Sequence, residues 1–124
     1  MSVSVLRQGK YLIANVQSAM ADSEALGLQE VLMAQMSRYR SNGILIDVSG
    51  MDVLDSFAAR SLQTLSRTAR LRGAETVIVG IHPDVAFAMV RLGITFADVH
   101  TALDLEAGLA MLDQLHREGT SRDA

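Results

Sequence analysis

Val3-Ser4-Val5-Leu6-Arg7 alternates as a half-buried strand does, and Gln8-Gly9-Lys10 follows with the composition of a tight turn. Tyr11-Leu12-Ile13-Ala14-Asn15-Val16 predicts a second strand, so the chain opens on a hairpin. Asp22 or Ser23 is expected to cap a helix whose apolar face carries Leu28, Leu32, Met36 and Tyr39, with Asn42-Gly43 ending it. Ile44 to Val48 shows no alternation, the pattern of a strand covered on both faces. After a short acidic loop a helix is expected from about Ser56 to Arg72. Ala58, Leu62, Leu65 and Ala69 form its apolar stripe, Arg60, Gln63, Arg67 and Arg70 its solvated one, and Gly73 its stop.

Thr76-Val77-Ile78-Val79-Gly80 predicts another buried strand. His82-Pro83-Asp84 turns into a helix carrying Val85, Met89, Val90 and Leu92 and ended by Gly93. A short strand is expected around Asp98 to His100. Thr101-Ala102-Leu103-Asp104 resembles a capping box opening a last amphipathic helix through Leu105, Leu109, Leu112 and Leu115. The order is β-β-α-β-α-β-α-β-α, without repeats or linkers. It predicts one α/β domain over residues 1–117, built on a mixed, mostly parallel sheet, with a frayed polar tail over 118–124. In such sheets function gathers in the loops beyond the carboxyl ends of the strands, here Val48–Ser56 and Gly80–Asp84.

Composition narrows the chemistry. The 124 residues suffice for one core, and with 49% hydrophobic but only 4% aromatic residues that core must be aliphatic, with seven methionines. A net charge of −3 and the lack of a basic run argue against nucleic acid as a partner. Without cysteine there are no disulfides, thiolate ligands or Cys nucleophile, and His82, His100 and His116 lack metal-ligand spacing. The N-terminus has no secretory h-region and no segment has the length of a membrane span, so a cytoplasmic domain is expected.

The segment between the third strand and the second helix carries Asp47, Ser49, Asp52, Asp55 and Ser56. Ser56 reads as a helix cap or as a switch, because a phosphate there would meet the amides of a helix N-terminus and add charge to an acidic loop. Asp47 reads best as a carboxylate that pins its own loop. A phosphoacceptor role would need further acids and a lysine after the last strand, and Lys10, in the hairpin turn, is the only lysine. A hydrolase triad of Ser56, His82 and an aspartate lacks the Gly-x-Ser-x-Gly elbow, and no glycine-rich phosphate loop supports nucleotide binding. No enzymatic activity, cofactor or metal is therefore expected. Phe57 either plugs the helix base into the core, the slightly favoured reading, or projects as an interface anchor. Arg60, one turn along from Ser56, would extend a docking surface.

Ile46-Asp47-Val48-Ser49-Gly50, Val53-Leu54-Asp55-Ser56-Phe57, Gly73-Ala74, and Val79-Gly80-Ile81-His82-Pro83 followed by Leu92-Gly93 together resemble STAS domains, the anti-sigma-factor antagonist family. The resemblance covers nearly the whole chain and looks most like the stressosome branch, on the side of RsbS, a lone STAS domain with a serine. Ala88 stands where RsbR-like proteins often carry a second threonine. In the family, the serine matching Ser56 is phosphorylated by a GHKL-type kinase. The resemblance implies a scaffold that assembles with RsbR-like paralogues and holds an RsbT-like switch kinase. It further implies release of the kinase on phosphorylation, reset by an RsbX-like phosphatase, and a kinase-docking edge formed by Asp47, Ser49, Asp52, Asp55, Phe57 and Arg60. A free anti-anti-sigma factor and a STAS subunit of a membrane transporter share the fold and stand as alternatives.

Overall fold

A computed structural model describes residues 3–17, 22–51, 56–93 and 99–123. Five strands form one sheet in the order β1 (Val3–Gln8), β2 (Tyr11–Val16), β3 (Gly43–Asp47), β4 (Glu75–Val79) and β5 (His100–Ala102). Every strand therefore pairs with its neighbour in sequence. β1 and β2 are antiparallel, joined through Gly9 at φ +60; the remaining pairs are parallel. The last of the parallel strands is not where the sequence suggested. β5 starts at His100, two residues later than expected, and Thr101 lies within it instead of opening a helix.

The helices are α1 (Asp22–Tyr39), α2 (Ser56–Leu71), α3 (Pro83–Arg91) and α4 (Leu105–Asp123), the last continuing through the stretch read as a tail. They divide between the two faces of the sheet. Leu12, Ala14, Val16, Ile44, Ile46 and Ile78 point to one face, where they meet Leu28, Leu32 and Met36 of α1, Ala58, Leu62, Leu65 and Ala69 of α2, and Val85 and Met89 of α3. Ile13, Leu45, Val77 and Val79 point to the other, where Leu112 of α4 covers them with help from Leu109. This period-two division of runs with no polar alternation marks strands sandwiched between helical layers.

α4 approaches the sheet closely. A Cβ on Gly108 would stand 2.6 Å from Val79 Cγ1 and 2.7 Å from Leu45 Cδ1, so only glycine fits there without a shift. Asp104 caps this helix by accepting the Ala107 amide at 2.9 Å, which puts the cap three residues beyond Thr101.

Several expected core and cap residues lie elsewhere. Asp22 and Ser23 are the first two residues of α1, not its caps. Tyr39 is exposed, its ring lying under the guanidiniums of Arg7 at 4.3 Å and Arg38 at 5.3 Å. Val90 and Leu92 are exposed as well, because nine-residue α3 buries only Val85 and Met89. Leu105, in the first turn of α4, is exposed too. Asn42-Gly43 does not stop α1: Arg40 takes the left-handed conformation (φ 51), and the Ser41 amide reaches back to Met36 O at 3.2 Å. Gly43 instead opens β3, under the Tyr11 ring whose Cδ1 would be 2.8 Å from an added Cβ.

Candidate functional site

The carboxyl ends of β2, β3 and β4 converge on one edge, and the loop after β3 is built there from short contacts. Asp47, the last residue of β3, accepts the Ser49 amide on Oδ1 at 2.9 Å, closing an Asx turn. Val48 is buried and its amide donates to Val79 O at 3.0 Å, while Met51 N donates to Val48 O at 2.9 Å. Met51 is itself buried beneath the turn. The loop-pinning role read for Asp47 is the one it plays.

The loop after β4 holds this turn from the side. Gly80 has φ +78, and a Cβ there would lie 2.8 Å from Ser49 Cβ and 3.1 Å from Asp47 Oδ1. Its amide donates to Leu103 O at 3.2 Å, linking the edge to the end of β5. His82, in extended backbone just before Pro83, reaches across with Nε2 2.6 Å from Ser49 O. A carbonyl oxygen only accepts, so Nε2 carries the hydrogen. On the far side a Cβ on Gly50 would stand 2.7 Å from Gln17 Cα, so the end of β2 presses on the same turn. Sequence reasoning weighed His82 only as a metal ligand or a triad member and set both aside; its pairing with Ser49 depends on two loops meeting in space.

Asp52 and Asp55, expected at the same edge, lie outside the described residues. Ser56 follows them as the first residue of α2, half-buried, at the end of the helix where backbone amides lack intrahelical acceptors. The first turn of α2 contains no acidic side chain, so nothing in that turn opposes an added negative charge. Phe57 projects, 40% exposed, against the slight preference for a core position. Its carbonyl accepts the Ser61 hydroxyl at 2.9 Å. Arg60 is exposed one turn along, and Arg67 and Arg70 continue the exposed stripe, with Gln63 half-buried between them.

Asp47, Ser49 and His82 are thus brought together by direct hydrogen bonds, and Ser56, Phe57 and Arg60 share the opening turns of one helix. The arrangement offers a hydroxyl at a helix start, an exposed aromatic and a rigidly held turn. Among the described residues no three potential metal ligands gather at one point, and no helix is long and apolar enough to cross a membrane.

The STAS domain family model matches residues 2–108. RsbS of Moorella thermoacetica, solved as a serine-to-glutamate variant, superposes with a TM-score of 0.81 at 31% identity, over 94% of this chain and 99% of that one. A chain from the molecular architecture of the stressosome, described as a signal integration and transduction hub, superposes with a TM-score of 0.73 at 30% identity, over 92% of this chain and 99% of that one. The RsbT co-antagonist protein RsbRA of Bacillus subtilis is 34% identical over 82 residues, 66% of this chain but 30% of its own length. The chain thus spans about a third of that curated relative. With its fold and its match over most of its length agreeing, the chain belongs to the STAS-domain family, among its stressosome-related members.

Proposed function

We propose that this chain is a non-catalytic, cytoplasmic scaffold of a stressosome-type assembly, which holds an RsbT-like switch kinase and releases it when Ser56 is phosphorylated. The observation that carries the reading is the position of Ser56, as the first residue of α2, the next helix in the chain after the turn that Asp47 pins. The near full-length likeness to RsbS supports it.

Phosphorylation adds about −1.5 to −2 charges at neutral pH. At the first helical residue those charges meet the amides of α2 and the positive end of its dipole, so the modified side chain is accommodated without refolding. The outer surface changes instead. A partner docked over Asp47, Ser49, Phe57 and Arg60, with Asp52 and Asp55 of the adjoining loop, would face a doubly charged group where a hydroxyl had been. A kinase held there is expelled, and an RsbX-like phosphatase restores the hydroxyl. RsbR-like paralogues complete the assembly through their own STAS domains.

The test is incubation with the RsbT-like kinase and ATP, followed by site mapping by mass spectrometry. Phosphate is expected on Ser56 alone, with kinase release in step with its incorporation and neither event in Ser56→Ala. Phosphate elsewhere, with Ser56→Ala behaving as the unmodified chain, would sink the mechanism. Light scattering after mixing with an RsbR-like paralogue checks the scaffold role, because a free anti-anti-sigma factor would stay small.

A further inference from the structure

Among the described strands the sheet has two open edges, β1 and β5, and they differ in how they are protected. β5 has three residues, too few to template a neighbouring strand. β1 has six, paired with β2 without a bulge, and it contains no proline, Pro83 being the only one in the chain. Its one charge, Arg7, is turned over the face of the sheet onto the Tyr39 ring. The two-residue turn at Gly9-Lys10 makes Gln8 and Tyr11 the closing pair of the hairpin, which exchanges both of its hydrogen bonds. Leu6 with Ile13 and Ser4 with Asn15 follow as bonded pairs, because such pairs alternate along an antiparallel ladder. The amides and carbonyls of Val3, Val5 and Arg7 therefore point outward, along the open edge.

Beside this edge an apolar groove of about 670 Å³ runs between β1 and α1, with Val5, Gly27, Leu28 and Val31 in its walls. Val31 is 41% exposed. Glycine inside a helix is destabilising relative to alanine, and nothing described in this chain calls for it at position 27. A Cβ there would meet no atom within 4 Å, so the space above Gly27 is left open. Glu24, Gly27, Val31, Gln35 and Arg38 follow one another at helical spacing along this side of α1. The stripe is symmetric about Val31: Glu24 and Arg38 stand seven residues to either side of it, with opposite charges.

We infer that this edge and groove bind a second copy of the chain, β1 against β1 and α1 against α1, about a twofold axis perpendicular to the sheet. Centred on Val5, antiparallel pairing exchanges two hydrogen bonds between the two Val5 residues and two between each Val3 and Arg7 of the other copy. Every outward group of the edge is then used, and one sheet continues into the other. α1 lies over β1 and β2. With adjacent strands about 4.8 Å apart, the two copies of α1 come to stand about 10 Å apart, the distance at which helices pack. The axis that reverses β1 also reverses α1. Val31 then meets Val31, Gly27 faces Gln35, and Glu24 faces Arg38 of the other copy, each contact made twice. Opposite charges at both ends of an apolar centre select a second copy over an extended segment of an unrelated protein. The surface includes neither Ser56 nor the turn that Asp47 pins, so it does not rest on the proposed switch.

The test is sedimentation velocity of the full chain over a concentration series, with amide exchange followed by NMR on the same samples. A monomer–dimer equilibrium is expected, in which exchange at the Val5 and Arg7 amides slows as the dimer fills. Val5→Pro deletes only an outward N–H, which an edge strand tolerates, so a dispersed monomer spectrum is expected together with at least a tenfold weaker dimer. Val31→Lys, at an exposed helix position, is expected to weaken it as much. Glu24→Arg and Arg38→Glu are each expected to weaken the dimer, and the two together to restore it. A chain that stays monomeric at millimolar concentration would overturn the proposal and leave the edge to a strand of another protein. So would a dimer that persists in both Val5→Pro and Val31→Lys, a charge exchange that restores nothing, or protection that appears away from β1. Ser56→Ala is expected to dimerise as the unmodified chain does, so failure of the switch would leave this result standing.

Discussion

His82 Nε2 lies 2.6 Å from the carbonyl oxygen of Ser49 and ties the loop after β4 to the loop after β3. Replacing His82 by Ala removes a hydrogen bond worth about 1 kcal/mol. The expected result is faster hydrogen exchange at the Val48 and Met51 amides, with α1 and α4 unchanged. Unchanged protection in His82→Ala would show that the turn stands without the ring.

Gly80 is the stricter constraint on the same edge. Its left-handed backbone and the 2.8 Å approach a Cβ would make to Ser49 Cβ act together. Gly80→Ala is expected to cost about 2–3 kcal/mol, combining the left-handed penalty with overpacking. Adding Ser49→Gly removes the contact but not the backbone penalty, so urea denaturation of the double variant is expected to show part of the loss recovered. Full additivity of the two costs would rule out the contact as a cause.

Tyr11 makes stability sensitive to alkaline pH. Burial, followed by the hydrogen bond to Asp113 Oδ1 and the charge of that carboxylate, pushes the phenol from its ordinary 10 up to about 12, against a smaller opposing effect of Arg117. The folded state thus keeps a proton that the unfolded chain gives up first. The contribution is fully present below about pH 10 and is lost as the pH rises toward about 12. Urea midpoints between pH 8 and 11.5 are expected to fall more steeply for the unmodified chain than for Tyr11→Phe. Equal slopes would refute the assignment.

Thr76 offers a stabilising change. Its side chain is 2% exposed on β4 and Oγ1 has no hydrogen-bond partner among the described residues. Thr76→Val keeps the branched shape and removes a desolvated hydroxyl, so a gain of about 1 kcal/mol is expected in chemical denaturation. A loss of stability would mean that the hydroxyl is satisfied in solution.

The strands and helices were legible because their apolar runs are long and bounded by turn residues, as Ile44 to Val48 and the stripe Ala58, Leu62, Leu65 and Ala69 illustrate. Misplacements arose where a side chain's fate depends on something distant in sequence. Tyr39 has helical spacing with Met36, but the guanidinium of Arg7 on β1 gives its ring a place outside the core. Val90 and Leu92 look apolar enough to bury, yet a helix as short as α3 offers its core face to two residues. Asn42-Gly43 is a conventional helix stop that yields to Arg40, because Gly43 is needed where the Tyr11 ring crosses β3. At the site, Asp47 was readable because its partner is two residues away. The Ser49–His82 and Ser49–Gly80 contacts span more than thirty residues and leave no local signature.

Because α4 is made after all five strands, the face formed by Ile13, Leu45, Val77 and Val79 has no cover until residues near Gly108 and Leu112 leave the ribosome. Up to β5 the growing chain can pair each strand with the one before it and seat α1, α2 and α3, while one side of its sheet stays bare. Synthesis therefore passes through a half-dressed intermediate whose vulnerable surface is the one sealed by α4. Slowing translation over the α4 codons is accordingly expected to raise aggregation of nascent chains, although it changes no residue of the finished protein.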